Sequence, residues 1–121
     1  MLEVLCDSKQ LLEMKQEMLR RNIDNLVESQ AKMVTLMDGI KQRFITYSND
    51  DLAQTRLDKL EHMTAVFDKM DEEIEESYRE IKRNQTKLIL LKVDIAKARV
   101  AIRKALNSDL NSNLNSDSSS F

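Results

Sequence analysis

The side chains able to do chemistry are few and scattered. His62 is the only histidine and Cys6 the only cysteine. A zinc-finger site needs four Cys and His ligands, so this pair cannot supply one. A Ser-His-Asp arrangement would require a fold that gathers distant residues around His62. Cys6 has no histidine near it in sequence and reads as a spectator thiol. A single cysteine also excludes an intrachain disulfide and fits a reducing, cytosolic setting. Glu72, Glu73, Glu75 and Glu76 cluster their carboxylates, but without the spacing or the glycine of a calcium loop; they read as a solvated helix face. With one glycine in the chain, no Gly-rich phosphate loop is possible. No catalytic, cofactor-binding or metal-ligating residue is therefore assigned, and an enzyme is not expected.

Composition describes the elements that would have to carry any site. The chain has 121 residues with no proline, no tryptophan, two tyrosines and three phenylalanines, and 33% of it is charged. Leu, Lys, Glu, Met, Ile and Ala are prominent, which is the composition of long helices. Compact cores use aromatics and glycine turns. Here the apolar side chains must be buried between helices, and we expect between chains.

Periodicity places those helices. Leu60, Phe67, Ile74, Ile81, Leu88, Ile95 and Ile102 recur every seven residues, and Met63, Met70, Ser77, Asn84, Leu91, Ala98 and Ala105 follow three behind. A period of seven sustained this long is the mark of a left-handed coiled coil. The first row is position a and wholly apolar; the second is position d and turns polar at Ser77 and Asn84. His62 then falls at position c, on the outer side. An earlier stripe runs through Leu5, Leu12, Leu19, Leu26, Met33, Ile40 and Tyr47 at d, with Gln16, Ile23, Gln30, Met37 and Phe44 at a. Val27 and Val34 widen it on one side. This stripe is less apolar at its start and stronger from Ile23. It predicts one helix from Leu2 to Thr46, with Gly39 as an exposed, tolerated glycine.

The two stripes do not join. Phe44 and Leu60, both at a, are sixteen residues apart where fourteen would keep the phase. Ser48-Asn49-Asp50-Asp51 lies between them and favours a turn or cap; Ser48 and Asp51 have capping-box spacing. Leu52 and Leu57 are placed at the junction. The expected organisation is a first coiled-coil helix over 1–47, a break at 48–51, a second coiled-coil helix over 52–107, and a disordered Asn/Ser-rich tail over 108–121, too polar to offset its ordering entropy. The fold class is all-α, an elongated coiled coil of two long helices. Either a tight hairpin or a kinked rod fits. The absence of glycine and proline from the turn, and the unequal helix lengths, favour the rod.

The net charge of −2 hides two blocks. Residues 50–76 hold ten acids and three bases; residues 77–107 hold two acids and nine bases. Such blocks can pair with a neighbouring helix of matching pattern. The basic block includes Arg79, Lys82, Arg83, Lys87, Arg99, Arg103 and Lys104, as in a basic-zipper arm. A DNA-reading arm lies outside its zipper, however, and here the apolar seam runs straight through, so nucleic acid is not expected as a partner. No apolar run approaches the ~20 residues of a bilayer span, and the start of the chain lacks the order of a signal peptide. Membrane association is expected to be peripheral at most.

The residues expected to meet partner chains are Ile23, Leu26, Gln30, Met33, Met37, Ile40 and Phe44 in the first helix. In the second they are Leu60, Met63, Phe67, Met70, Ile74, Ile81, Asn84, Leu88, Leu91, Ile95 and Ile102. Buried amides in such a seam cost stability and fix register and partner number. The seven methionines suit packing against unlike partners.

With that architecture in place, the order of residues resembles the snapin and pallidin family, small coiled-coil subunits of the biogenesis of lysosome-related organelles complex 1. The resemblance lies in Leu26-Val27-Glu28-Ser29-Gln30, Leu36 and Phe44, then His62, Ala65, Phe67 and Glu73, and the Lys/Leu-rich stretch Lys82 to Lys92. It covers roughly residues 26–92 and is most like pallidin. The KXDL family is similar over residues 30–88, although Lys69-Met70-Asp71-Glu72 departs from its Lys-x-Asp-Leu motif. The resemblance implies a non-catalytic strand of a hetero-oligomeric complex on the cytosolic side of endosomes, with other small coiled-coil subunits and syntaxin-type membrane-fusion proteins as partners. Two readings independent of it stay open: a stand-alone homodimeric adaptor or tether, and a basic-helix binder of nucleic acid or anionic membrane.

Overall fold

In the computed structural model the chain is all-α, with two long helices and no strand among the described residues. The backbone is described for residues 1–49 and 51–119, and side chains are described as far as Ser112. Helix α1 spans Leu2–Thr46 and α2 spans Ala53–Ser119. The bounds of α1 are those the periodicity predicts. Glu3 in its first turn and Arg43 in its last complement the helix dipole. Exposed i,i+3 and i,i+4 pairs support both helices: Lys9–Glu13 at 3.4 Å, Arg21–Glu17 at 3.2 Å, Lys32–Glu28 at 3.5 Å and Arg79–Glu76 at 3.1 Å. Each such pair contributes only about 0.3–0.5 kcal/mol, so packing must supply most of the stability.

The break falls where the phase shift puts it, at residues 47–52, with residue 50 outside the described residues. The capping-box expectation does not hold, because α2 starts at Ala53 rather than directly after Ser48. The Arg56 N–H instead donates to the Leu52 carbonyl at 2.9 Å. Leu52 and Leu57 do not pack at the junction; they are 54% and 43% exposed. What braces the turn is the Arg56 guanidinium, 5.8 Å from the centre of the Tyr47 ring.

The chain divides into two compact units. In the first, Gln16–Lys82, the length of α1 from Gln16 onward folds back antiparallel on α2 as far as Lys82. This corrects the expectation of a rod. No described non-glycine residue has a positive φ, so the described residues of the turn call for no glycine. In the second unit, residues 1–15 lie alongside α2 from Arg83 onward.

The unequal helix lengths are also resolved in that second unit. Ala98 is the last half-buried residue of α2, and every described side chain from Arg99 to Ser112 is exposed. Cys6 and Lys9 line a groove with Ile95 and Arg99, within two turns of the start of α1 at Leu2. Beyond Ala98, α2 runs on with its described side chains exposed. It continues as helix beyond the boundary expected at 107, through Leu110 to Ser119. The expectation of a disordered tail falls mostly on residues 113–121, whose side chains lie outside the described residues.

Candidate partner interface

Both seven-residue stripes face the other helix of their own chain. Ile23, Ile81 and Ile95 are the buried apolar residues, 4%, 8% and 4% exposed. Leu26, Met33, Met37, Ile40 and Phe44 of α1 are half-buried, as are Leu60, Met63, Phe67, Met70 and Ile74 of α2 in the same unit. In the other unit Leu5, Leu12, Leu88 and Leu91 are half-buried around Ile95. The rows were expected to be covered by other chains; the chain covers them first itself, because it folds back. Ile102 is the exception at 44% exposed. Val27 and Val34 flank the seam and stay 48% and 49% exposed.

The polar positions in the stripes are buried, as coiled-coil amides would be. Gln16 is 2% exposed, Ser77 8% and Asn84 2%. The Gln16 Nε2 donates to the Ile81 carbonyl at 3.0 Å. Two heptads on, the half-buried Gln30 Nε2 reaches the Phe67 carbonyl at 3.4 Å and the Asp71 Oδ1 at 2.6 Å. Fourteen residues forward in α1 thus matches fourteen residues back in α2. Both amides report one antiparallel register, and each reaches the backbone of an a-position residue. The Gln16 Oε1 and the Asn84 Nδ2 are buried without a hydrogen-bond partner. A group left so costs about 1–3 kcal/mol.

Two packed helices enclose only the side on which they touch. That geometry explains why so many seam residues stop at half-buried. It also leaves apolar side chains outside the seam altogether. In the second unit Val4, Leu11 and Met14 are 62%, 67% and 57% exposed on α1. On α2 Ile89, Leu90, Val93 and Val100 are 62%, 61%, 49% and 46% exposed. The seven-residue reading missed these outer strips. Their signal was the 4-3-4 spacing of Ile89, Val93, Ala96 and Val100, which is the same helical arithmetic on another face.

The chemistry-bearing side chains do not converge. His62 is exposed, Cys6 is half-buried, and Glu72, Glu73, Glu75 and Glu76 are all exposed. Among the described residues no group of three or more His, Cys, Asp or Glu could hold a metal, and no helix is long and apolar enough to cross a membrane. The chain matches no family model, no curated protein and no solved structure. The surface that remains as a candidate site is a coiled-coil-like helix pair, buried along its seam and apolar beyond it.

Proposed function

We propose that the chain is a non-catalytic coiled-coil subunit of a hetero-oligomeric complex acting in endosomal trafficking and the biogenesis of lysosome-related organelles. The observation that carries the assembly reading is the half-buried seam. Among the described residues only three apolar side chains are buried, while long apolar rows lie half open beside them. Burying a Val, Leu, Ile or Met side chain fully is worth about 1.5–3 kcal/mol. Further helices laid against the pair would gain much of that for residue after residue. The buried amides of Gln16 and Asn84 suit a seam selected for particular neighbours rather than for greatest stability.

The trafficking role rests on the resemblance to the snapin and pallidin family over residues 26–92. It places the protein in the cytoplasm, peripheral to endosomal or lysosome-related organelle membranes. Other small coiled-coil subunits, and syntaxin-type membrane-fusion proteins, are the proposed partners. The test is purification of the tagged full chain, at native abundance, from cytosol and from washed endosomal membranes. The expected result is a fixed set of small helical chains, with part of the material released from membranes by salt. A chain that purifies only with copies of itself supports the homodimeric adaptor instead, and one that purifies as a monomer overturns both.

A further inference from the structure

The outward face of α2 between Ile89 and Lys104 has a composition unlike the rest of the surface. Ile89, Val93, Ala96 and Val100 follow one another at steps of four, three and four, so they form one strip along the helix. The strip is exposed along its whole length. Val93, Ala96, Val100 and Ala101 line a shallow groove of about 490 Å³ with Lys97 and Lys104 at its edge. By helical position Lys92 and Arg99 run along one flank of the strip, and Lys97 and Lys104 along the other.

Among the described residues those bases are not tied up in ion pairs. Lys92, Lys97, Arg99 and Lys104 contrast in this with Lys9, Arg21, Lys32 and Arg79, each of which holds a glutamate of its own helix. Glu13 shares a groove with Lys92 and Arg99, yet it is held by Lys9 at 3.4 Å. An apolar strip between two rows of unanswered bases is the complement of one kind of surface: an apolar stripe between two rows of acids. Flanking charges of this sort choose the partner in helix pairs.

We infer that this face docks an acidic amphipathic helix of a partner chain, its apolar stripe on Ile89, Val93, Ala96 and Val100 and its carboxylates on Lys92, Lys97, Arg99 and Lys104. The inference deepens the assembly reading above and rests on it. The strip favours a helix over an anionic bilayer for two reasons. Ala96, with Ala101 beside it in the groove, allows close helix approach, as small residues do. Interfacial membrane helices instead present bulky Trp, Phe or Leu, and residues 79–120 contain no aromatic side chain at all. The face also differs from the acidic stretch of α2, where Asp58, Glu61, Asp68, Glu72 and Glu75 occupy the corresponding outer positions with no apolar strip among them. A second copy therefore offers no matching surface there.

The test uses the full chain and three probes. One is a helical peptide with a leucine stripe flanked by glutamates. The second is the same peptide with lysines for glutamates. The third is vesicles of phosphatidylserine and phosphatidylcholine. The glutamate peptide should bind and the lysine peptide should not. A chain carrying Lys92→Glu, Lys97→Glu, Arg99→Glu and Lys104→Glu should reverse that preference, and Val93→Asp should weaken the glutamate peptide about tenfold or more. Circular dichroism should show unchanged helicity in both variants, since every altered residue is exposed. Binding to vesicles and not to the peptide overturns the inference, as does peptide binding that survives both variants. Purification of the Val93→Asp chain separates this inference from the reading beneath it. If wild-type partners still assemble with it, the docking face fails and the subunit reading stands. If neither chain brings partners, the subunit reading fails and the inference falls with it.

Discussion

The side-chain amide of Gln16 donates to the backbone carbonyl of Ile81 across 3.0 Å, in a buried contact that joins residues 65 apart in sequence. That bond ties the fold-back of the chain to one register. The Ile81 carbonyl lies inside α2, so its second lone pair receives the amide while its helix bond is kept. Gln30 repeats the arrangement at Phe67, and no shift by a residue or two would satisfy both.

Gln16→Leu removes a buried amide whose Oε1 has no partner and keeps nearly the same volume. Replacing such a group by an apolar one is neutral to stabilising. We expect a gain of about 1 kcal/mol in urea unfolding. The double variant Gln16→Leu, Gln30→Leu should keep that gain and lose register. Spin labels at exposed Glu17 and Lys82 would then show a broadened distance distribution. A single sharp distance would mean that apolar packing alone sets the register.

Gly39 offers a gain of a different kind. It is exposed within α1, and a β-carbon there meets nothing within 4 Å. Gly39→Ala should stabilise the chain by about 0.5–1 kcal/mol, because alanine loses less backbone entropy on entering a helix. A chemical denaturation midpoint checks it; a loss of stability would indicate an unseen close contact.

Ile81→Asp would put an unpaired charge at a site 8% exposed. Breaking a buried environment in this way costs about 3–5 kcal/mol, a large part of a small domain's stability. Helicity by circular dichroism and partner binding should therefore be lost together. Were helicity retained and partner binding alone lost, the seam would be an interface between chains rather than within one.

Asn84→Leu tests the selectivity of the buried amides. Asn84 is 2% exposed with its Nδ2 unpartnered, so the substitution should stabilise the chain by about 1–3 kcal/mol. If the amide fixes the neighbours of the seam, the variant should also capture chains that the native protein rejects. An unchanged set of partners in quantitative pull-down would confine Asn84 to a folding role.

Much of the fold was legible from residue types and spacing, and the exceptions have physical causes. The heptad rows identified the buried faces, down to the polar Ser77 and Asn84, because burial in a helix pair follows the seven-residue period directly. The limits of α1 and the position of the break followed from the phase shift between Phe44 and Leu60. The direction of the second helix was not legible. A turn without glycine looked unfavourable, yet none of its described residues has a positive φ. Gln16 looked like a weak start to a seam, because an amide that bonds a distant carbonyl leaves no trace in a hydropathy pattern. The strip from Ile89 to Val100 was overlooked because the stronger period of seven ran through the same residues. Ile102 belongs to that period as well, yet it is 44% exposed, and nothing in its spacing sets it apart from the buried Ile95.

The central claim is that unlike chains complete the half-covered helix pair. Native mass spectrometry of the intact assembly, isolated through this chain, tests it most directly. The account predicts a mass that resolves into 14.1 kDa copies of this chain plus other small helical chains in fixed ratio. A mass that is a simple multiple of 14.1 kDa, or that of the chain alone, would contradict it.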